Sequence, residues 1–149
     1  MEAAERLKTM MENRAGKQVV QPPKMRHVLL VDDNDVYADH LTCDLRSRDT
    51  EVTRVLSAAE AVQVLRTNHH NFDGIITDIS MENQISGLKV LIEIRRLRFQ
   101  GIVTVATTGL NSPIGFLLNR ILLGKIFHSD YLIAKRPIQT SGKVIWLRA

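Results

Sequence analysis

Five short runs rich in β-branched and other apolar residues recur along the chain: Val28 to Val31, Glu51 to Leu56, Gly74 to Thr77, Ile102 to Ala106 and Tyr131 to Ala134. The stretches between the earlier runs carry a different period. Tyr37, Leu41 and Leu45 recur every four residues, and Ala58, Ala61, Val62 and Leu65 form a helical stripe, as do Leu88, Leu91, Ile94 and Leu97. A strand that is apolar on successive residues is covered on both faces. A helix after each strand returns the chain to lay the next one parallel, with a right-handed crossover. The alternation therefore predicts an α/β fold, a doubly wound five-stranded parallel sheet flanked by helices. The sequence contains no internal repeat.

A chain of 149 residues, 44% of them hydrophobic, suffices for one core of ordinary size. Pro22-Pro23 cannot continue a helix and reads as a linker, so residues 1–24 are expected to be a basic, flexible tail and residues 25–149 the domain. The charge of +4 follows the same division, since residues 1–27 hold six Lys or Arg against three Glu. The basic character thus describes the tail rather than a binding face, and with 5% aromatic residues direct nucleic-acid binding is not expected. The single Cys43 can form no internal disulfide, and no apolar run reaches the length of a bilayer span, so a cytoplasmic protein without membrane attachment is expected.

In open sheets of this type the ligand site lies beyond the carboxyl ends of the strands, where the strand order reverses. Polar residues gather at those ends here. Asp32 and Asp33 close the first run, Asp78 the third, Thr107 and Thr108 the fourth, and Lys135 the fifth. Carboxylates brought to one rim repel each other, and a hard cation, Mg2+ or Mn2+, reconciles them. A carboxylate projecting from a rigid strand can act as nucleophile toward phosphorus, while a metal, a lysine and a hydroxyl neutralise the transferring oxygens. On this reading Asp78 is the phosphoacceptor, Lys135 the point charge, and Thr107 or Thr108 the hydroxyl. Simpler roles stand beside these. Asp33 or Asn34 could merely cap the following helix, the threonines could be β-formers, His69-His70 a solvated helix end, Cys43 a core or quiet thiol, and Trp146 a packing residue or a partner anchor.

The stretch V-L-L-V-D-D-N from Val28 to Asn34 and the stretch F-D-G-I-I-T-D-I-S-M from Phe72 to Met81 resemble the response-regulator receiver domain, over about residues 25 to 140. The resemblance implies a flavodoxin-like receiver fold that takes a phosphoryl group from phosphohistidine onto Asp78. The donor would be a sensor histidine kinase or a histidine phosphotransfer protein, and the output a downstream protein target or a second copy of the chain. It further implies that Asp33 binds Mg2+ directly, that Asp32 acts through metal-bound water, that Ser80 lends a backbone carbonyl, and that Thr107 is the switch hydroxyl. Such a domain catalyses its own phosphotransfer and is not a conventional enzyme.

The sequence departs from that family in places. Glu82 stands where a proline is usual and Gly87 comes one residue late. Arg136 separates Lys135 from Pro137 and competes for its role, and Leu132 rather than Tyr131 holds the switch-aromatic spacing. The segment from Gly109 to Ser129 is long for a fourth helix, and the last helix, expected after Pro137, is interrupted by Ser141-Gly142 and leaves Val144, Trp146 and Leu147 to bury. These departures motivate an alternative, an atypical receiver acting as a phosphorylation-independent protein-interaction module. A metal-dependent phosphatase on a similar sheet would carry a second aspartate two positions after Asp78, where this chain has Ser80.

Overall fold

A computed structural model describes residues 19–79, 84–107 and 129–148. The elements are β1 (His27–Val31), α1 (Asp35–Arg46), β2 (Glu51–Val55), α2 (Ala58–Asn68), β3 (Gly74–Asp78), α3 (Gln84–Arg96), β4 (Ile102–Thr107), β5 (Tyr131–Ala134), α4 (Lys135–Ser141) and β6 (Trp146–Arg148), with a 3-10 turn at His69–Asn71. Ser80, Glu82, Thr108 and most of the long segment after β4 lie outside the described residues. Among the described residues no helix is long and apolar enough to cross a membrane.

The sheet order is β2-β1-β3-β4-β5-β6, and the first five strands are parallel. The order reverses between β1 and β3, which is where such a sheet opens a crevice at its carboxyl edge. Alternate residues of each strand feed two cores. One face carries Leu29, Val31, Ile75, Val103, Val105 and Leu132 under α2 and α3; the other carries Val28, Leu30, Ile76, Ala106 and Ile133 under α1 and α4. The helical stripes point inward as their spacing dictates. Ala38, Leu41 and Leu45 are buried on α1, Ala58, Ala61 and Leu65 on α2, and Val90, Leu91 and Ile94 on α3. Across the top of α2 and α3, Arg66 binds the buried carboxylate of Glu93 through two nitrogens, at 2.9 and 3.4 Å.

Gly74 opens β3 because a side chain there would strike the Met25 sulfur. At the other edge the sheet gains a strand. Helix α4 runs only seven residues, holds Pro137 in its first turn where the missing N–H costs nothing, and ends at Gly142 in the left-handed region (φ 69°). The chain then doubles back as β6, antiparallel to β5, with Trp146 opposite Ile133 and Leu147 opposite Leu132. Trp146 packs into the α1/α4 core and Leu147 into the α2/α3 core, so the residues expected to end a helix form a covered strand, and Trp146 is a packing residue. Outside β6 lies more chain. Val19 bridges Leu147 and the Val20 N–H donates to the Trp146 carbonyl at 3.0 Å, so two residues of the segment read as a tail are held at the sheet edge.

Candidate functional site

The first acidic residue leaves β1 directly. The Asp32 N–H still donates to Val55 O, so the residue continues the strand's line before the chain turns, and its Oδ1 accepts from the Asn34 N–H at 2.9 Å. Arg54 ties the turn from outside, its Nε to the Asp32 carbonyl at 3.1 Å and its Nη2 to Asp35 at 2.8 Å. The cap of α1 belongs to Asn34, whose Oδ1 accepts from the Val36 and Tyr37 amides at 3.0 and 3.2 Å. Asp33 is therefore released from capping. It is exposed, and one of its carboxylate oxygens joins one from each of Asp32 and Asp78 in a group whose members all lie within 4.8 Å of one another.

Asp78 is the last residue of β3, in register with Ala106 of β4, and is buried along with Asp32. Into this pair reaches Lys135, the first residue of α4, only 1% exposed. Its Nζ hydrogen-bonds Asp78 Oδ2 and lies 3.1 Å from Asp32 Oδ2. Arg136 is exposed. The competition between the two cations is thus decided by the helix, which turns Lys135 into the crevice and Arg136 away from it. Thr107, buried at the end of β4 opposite Ala134, sits on the same carboxyl edge.

The electrostatics remain unbalanced. Burial pushes the Asp32 carboxyl above the ordinary carboxylate range and the nearby Asp78 charge adds to this, while Lys135 and the Asn34 amide pull the other way and do not prevail. The Asp32 Oδ2 is buried and has the Lys135 ammonium, which also bonds Asp78, as its neighbouring cation at 3.1 Å. Asp32 and Asp78 share one ammonium, and Asp33 adds a third carboxylate beside them. Three clustered carboxylates offering only oxygen ligands, two of them buried, fit Mg2+ or Mn2+, which prefers a few carboxylates completed by water and phosphate oxygens. Asp32, Asp33 and Asp78 would hold it.

The geometry also brings in a residue that sequence reasoning placed only on a helical stripe. The Tyr37 ring lies under Lys135, with Nζ 4.2 Å from its centroid, and the Tyr37 hydroxyl meets Gln139 Oε1 of α4 at 3.3 Å. No spacing rule could have paired positions so far apart in the chain. His69 and His70 stack on one another at the end of α2, with His69 Nδ1 against Leu65 O, and Cys43 is exposed on α1, away from the core.

Known proteins now give the arrangement a context. The family described as response regulator receiver domain matches residues 28–114. A comparison with curated protein sequences finds no match. Among solved structures, a response regulator receiver domain protein from Clostridium thermocellum is 25% identical with a TM-score of 0.63, over 74% of this chain and 82% of that one. The receiver domain of the histidine kinase CKI1 from Arabidopsis thaliana, complexed with Mg2+ and BeF3-, is 19% identical with a TM-score of 0.60, over 90% and 91%. The response regulator domain of CheB from Thermotoga maritima is 22% identical with a TM-score of 0.56, over 76% and 80%. With the family match spanning more than half of the chain, and with a 2-1-3-4-5 parallel order carrying its acidic residues at the β1/β3 switch point, the chain belongs to the response regulator receiver domain family.

Proposed function

We propose that the chain is a phosphoacceptor, taking a phosphoryl group onto Asp78 from a phosphohistidine carried by a sensor histidine kinase or a histidine phosphotransfer protein. The observation that supports this most is the Lys135 ammonium buried between Asp78 and Asp32 at the carboxyl edge of the sheet. In the transfer an Asp78 oxygen forms a bond to phosphorus as the phosphorus–nitrogen bond of the donor breaks, and the departing imidazole takes up a proton from solvent. Asp78 reaches out from a hydrogen-bonded strand, which fixes its line of attack. Lys135 keeps a positive charge beside the oxygens as they gain negative charge. Mg2+, when bound by Asp32, Asp33 and Asp78, supplies the rest of the charge neutralisation, and Ser80 would add its backbone carbonyl.

Thr107 then follows the phosphoryl group with its hydroxyl, and the rearrangement reaches a surface read by a downstream protein or a second copy. The chain acts in the cytoplasm and turns over no separate substrate, so it is a signalling switch with self-catalysed phosphotransfer rather than a conventional enzyme. The test is a titration with Mg2+ and then beryllofluoride, followed by amide NMR shifts, on wild type and Asp78→Asn. Wild type should respond at both steps and the variant should lose the beryllofluoride response, by about a hundredfold or more in affinity. A wild type that responds to neither reagent would return the chain to the phosphorylation-independent interaction module.

A further inference from the structure

We propose that Tyr37 is a positioning residue for Lys135, a seat that keeps the ammonium at the site while it exchanges one oxygen partner for another. The proposal rests on the phosphoacceptor reading above. Lys135 begins a seven-residue helix whose preceding residue, Ala134, offers no side-chain cap, and its charge hangs on a flexible four-carbon stem. When phosphorus bonds to Asp78, the carboxylate that held the ammonium loses much of its charge. Asp32, the other carboxylate beside Nζ at 3.1 Å, is then shared with the metal, so a further contact is needed to keep Nζ in place.

The aromatic face of Tyr37 is suited to that task. It attracts a cation through its ring electrons but offers no acceptor oxygen in the direction of Nζ, so it leaves the three N–H bonds of the ammonium free for carboxylate and phosphoryl oxygens. A carboxylate at the same position would hold the lysine back. The seat is itself fixed at two points. The Tyr37 amide is capped by Asn34, directly after the two acidic residues, and its hydroxyl meets Gln139, one turn beyond Lys135 on α4. One residue, through its amide and its hydroxyl, thus links the acidic turn of β1 to the helix that carries the cation.

The experiment compares wild type, Tyr37→Leu and Tyr37→Phe for affinity toward Mg2+ alone, for affinity toward beryllofluoride with Mg2+ present, and for the rate of phosphorylation by phosphoramidate. Tyr37→Leu should bind Mg2+ within twofold of wild type, since the carboxylates are untouched, but bind beryllofluoride about fivefold more weakly and phosphorylate slower by a similar factor. Tyr37→Phe should restore both, which a hydroxyl-dependent strut would not. In a Lys135→Met background, Tyr37→Leu should cause no further loss. If Tyr37→Leu weakens Mg2+ and beryllofluoride equally, or if its effect persists without Lys135, the residue supports the turn generally and the seat is overturned. If Tyr37→Leu equals wild type at every step, the role is overturned while the phosphoacceptor reading stands. A wild type that binds Mg2+ but neither beryllofluoride nor phosphoryl groups overturns both.

Discussion

The two ends of the sheet are built on different terms. Around β1 and β3 the chain buries charge: Asp32 and Asp78 sit within the fold and share one lysine. At β5 and β6 it buries apolar area instead, closing the sheet with a short helix, a returning strand and the Val19–Val20 contact. A family match that covers residues 28–114 includes the first region and stops before the second. On the phosphoacceptor reading proposed above, the acidic edge is fixed by chemistry, where oxygens must meet phosphorus or metal, while the far edge only has to be covered. Substitutions at the far edge should damage the fold and spare the site; those at the acidic edge should alter metal binding, and their effect on stability should depend on metal and pH.

The largest effect on stability is expected from Trp146→Ala. Trp146 is among the largest fully buried side chains, it spans β6 into the α1/α4 core, and its ring meets Tyr131 edge-on at 6.1 Å. Its truncation should cost about 4 kcal/mol in urea or thermal unfolding. The folded fraction should still bind Mg2+ with wild-type affinity. A variant that keeps its stability but loses the metal would break the comparison, because it would make the far edge part of the site.

Lys135→Met tests the opposite corner. Removing one partner of a buried ion pair leaves Asp32 and Asp78 without their counter-charge, and a loss of about 3 kcal/mol is expected without divalent metal. Saturating Mg2+ should recover part of that loss, since a ligand that binds only the folded state stabilises it. No such recovery is expected for Trp146→Ala beyond what wild type itself gains. Equal recovery in both variants would mean that the metal acts on the whole fold rather than on the carboxylates.

The same contrast marks how far the sequence could be read. The five parallel strands follow from short apolar, β-branched runs that alternate with longer segments, and the inward faces of α1, α2 and α3 from the helical period of those segments. The acidic trio was legible because the topology rule places strand ends together. The choice between Lys135 and Arg136 was not. Tyr131 to Ala134 has no polar residue to mark a face, so the side to which residue 135 or 136 points is undetermined until β5 is in register with β4. The assignment of the cap to Asn34 rather than Asp33 had the same character, both being competent acceptors one residue apart. Strand β6 is three residues long, too short for any period, and its partner β5 is a nearby but reversed neighbour that no helix-strand alternation announces. Tyr37 belongs to a third kind of loss, a contact between remote positions that only packing creates.

Two buried carboxylates carry the comparison into pH, with opposite signs. On α3, Glu93 is held below the usual carboxylate range, chiefly by its hydrogen bond from Arg66 and also by the charges of Arg66 and Arg96, against the effect of burial. Its ionised form therefore stabilises the fold above its ordinary pKa of 4.5, and that contribution is lost as pH falls through the depressed value. At the site, Asp32 is raised by burial, so the folded state holds its proton more tightly than the unfolded chain does. Its contribution is complete below 3.8 and is lost as pH rises through the raised value. Urea midpoints measured against pH without divalent metal should separate the two. Glu93→Gln should be less stable than wild type near neutrality and should converge with it in acid. Asp32→Asn should gain on wild type as pH rises through the raised value of Asp32, because the asparagine never has to bury a charge. Mg2+ affinity of wild type should weaken on acidification through that same value, as the proton competes with the metal, whereas Glu93→Gln should leave this metal titration unchanged. If the metal titration instead follows Glu93, charge on the α2/α3 face reaches the site and the separation between fold and chemistry fails.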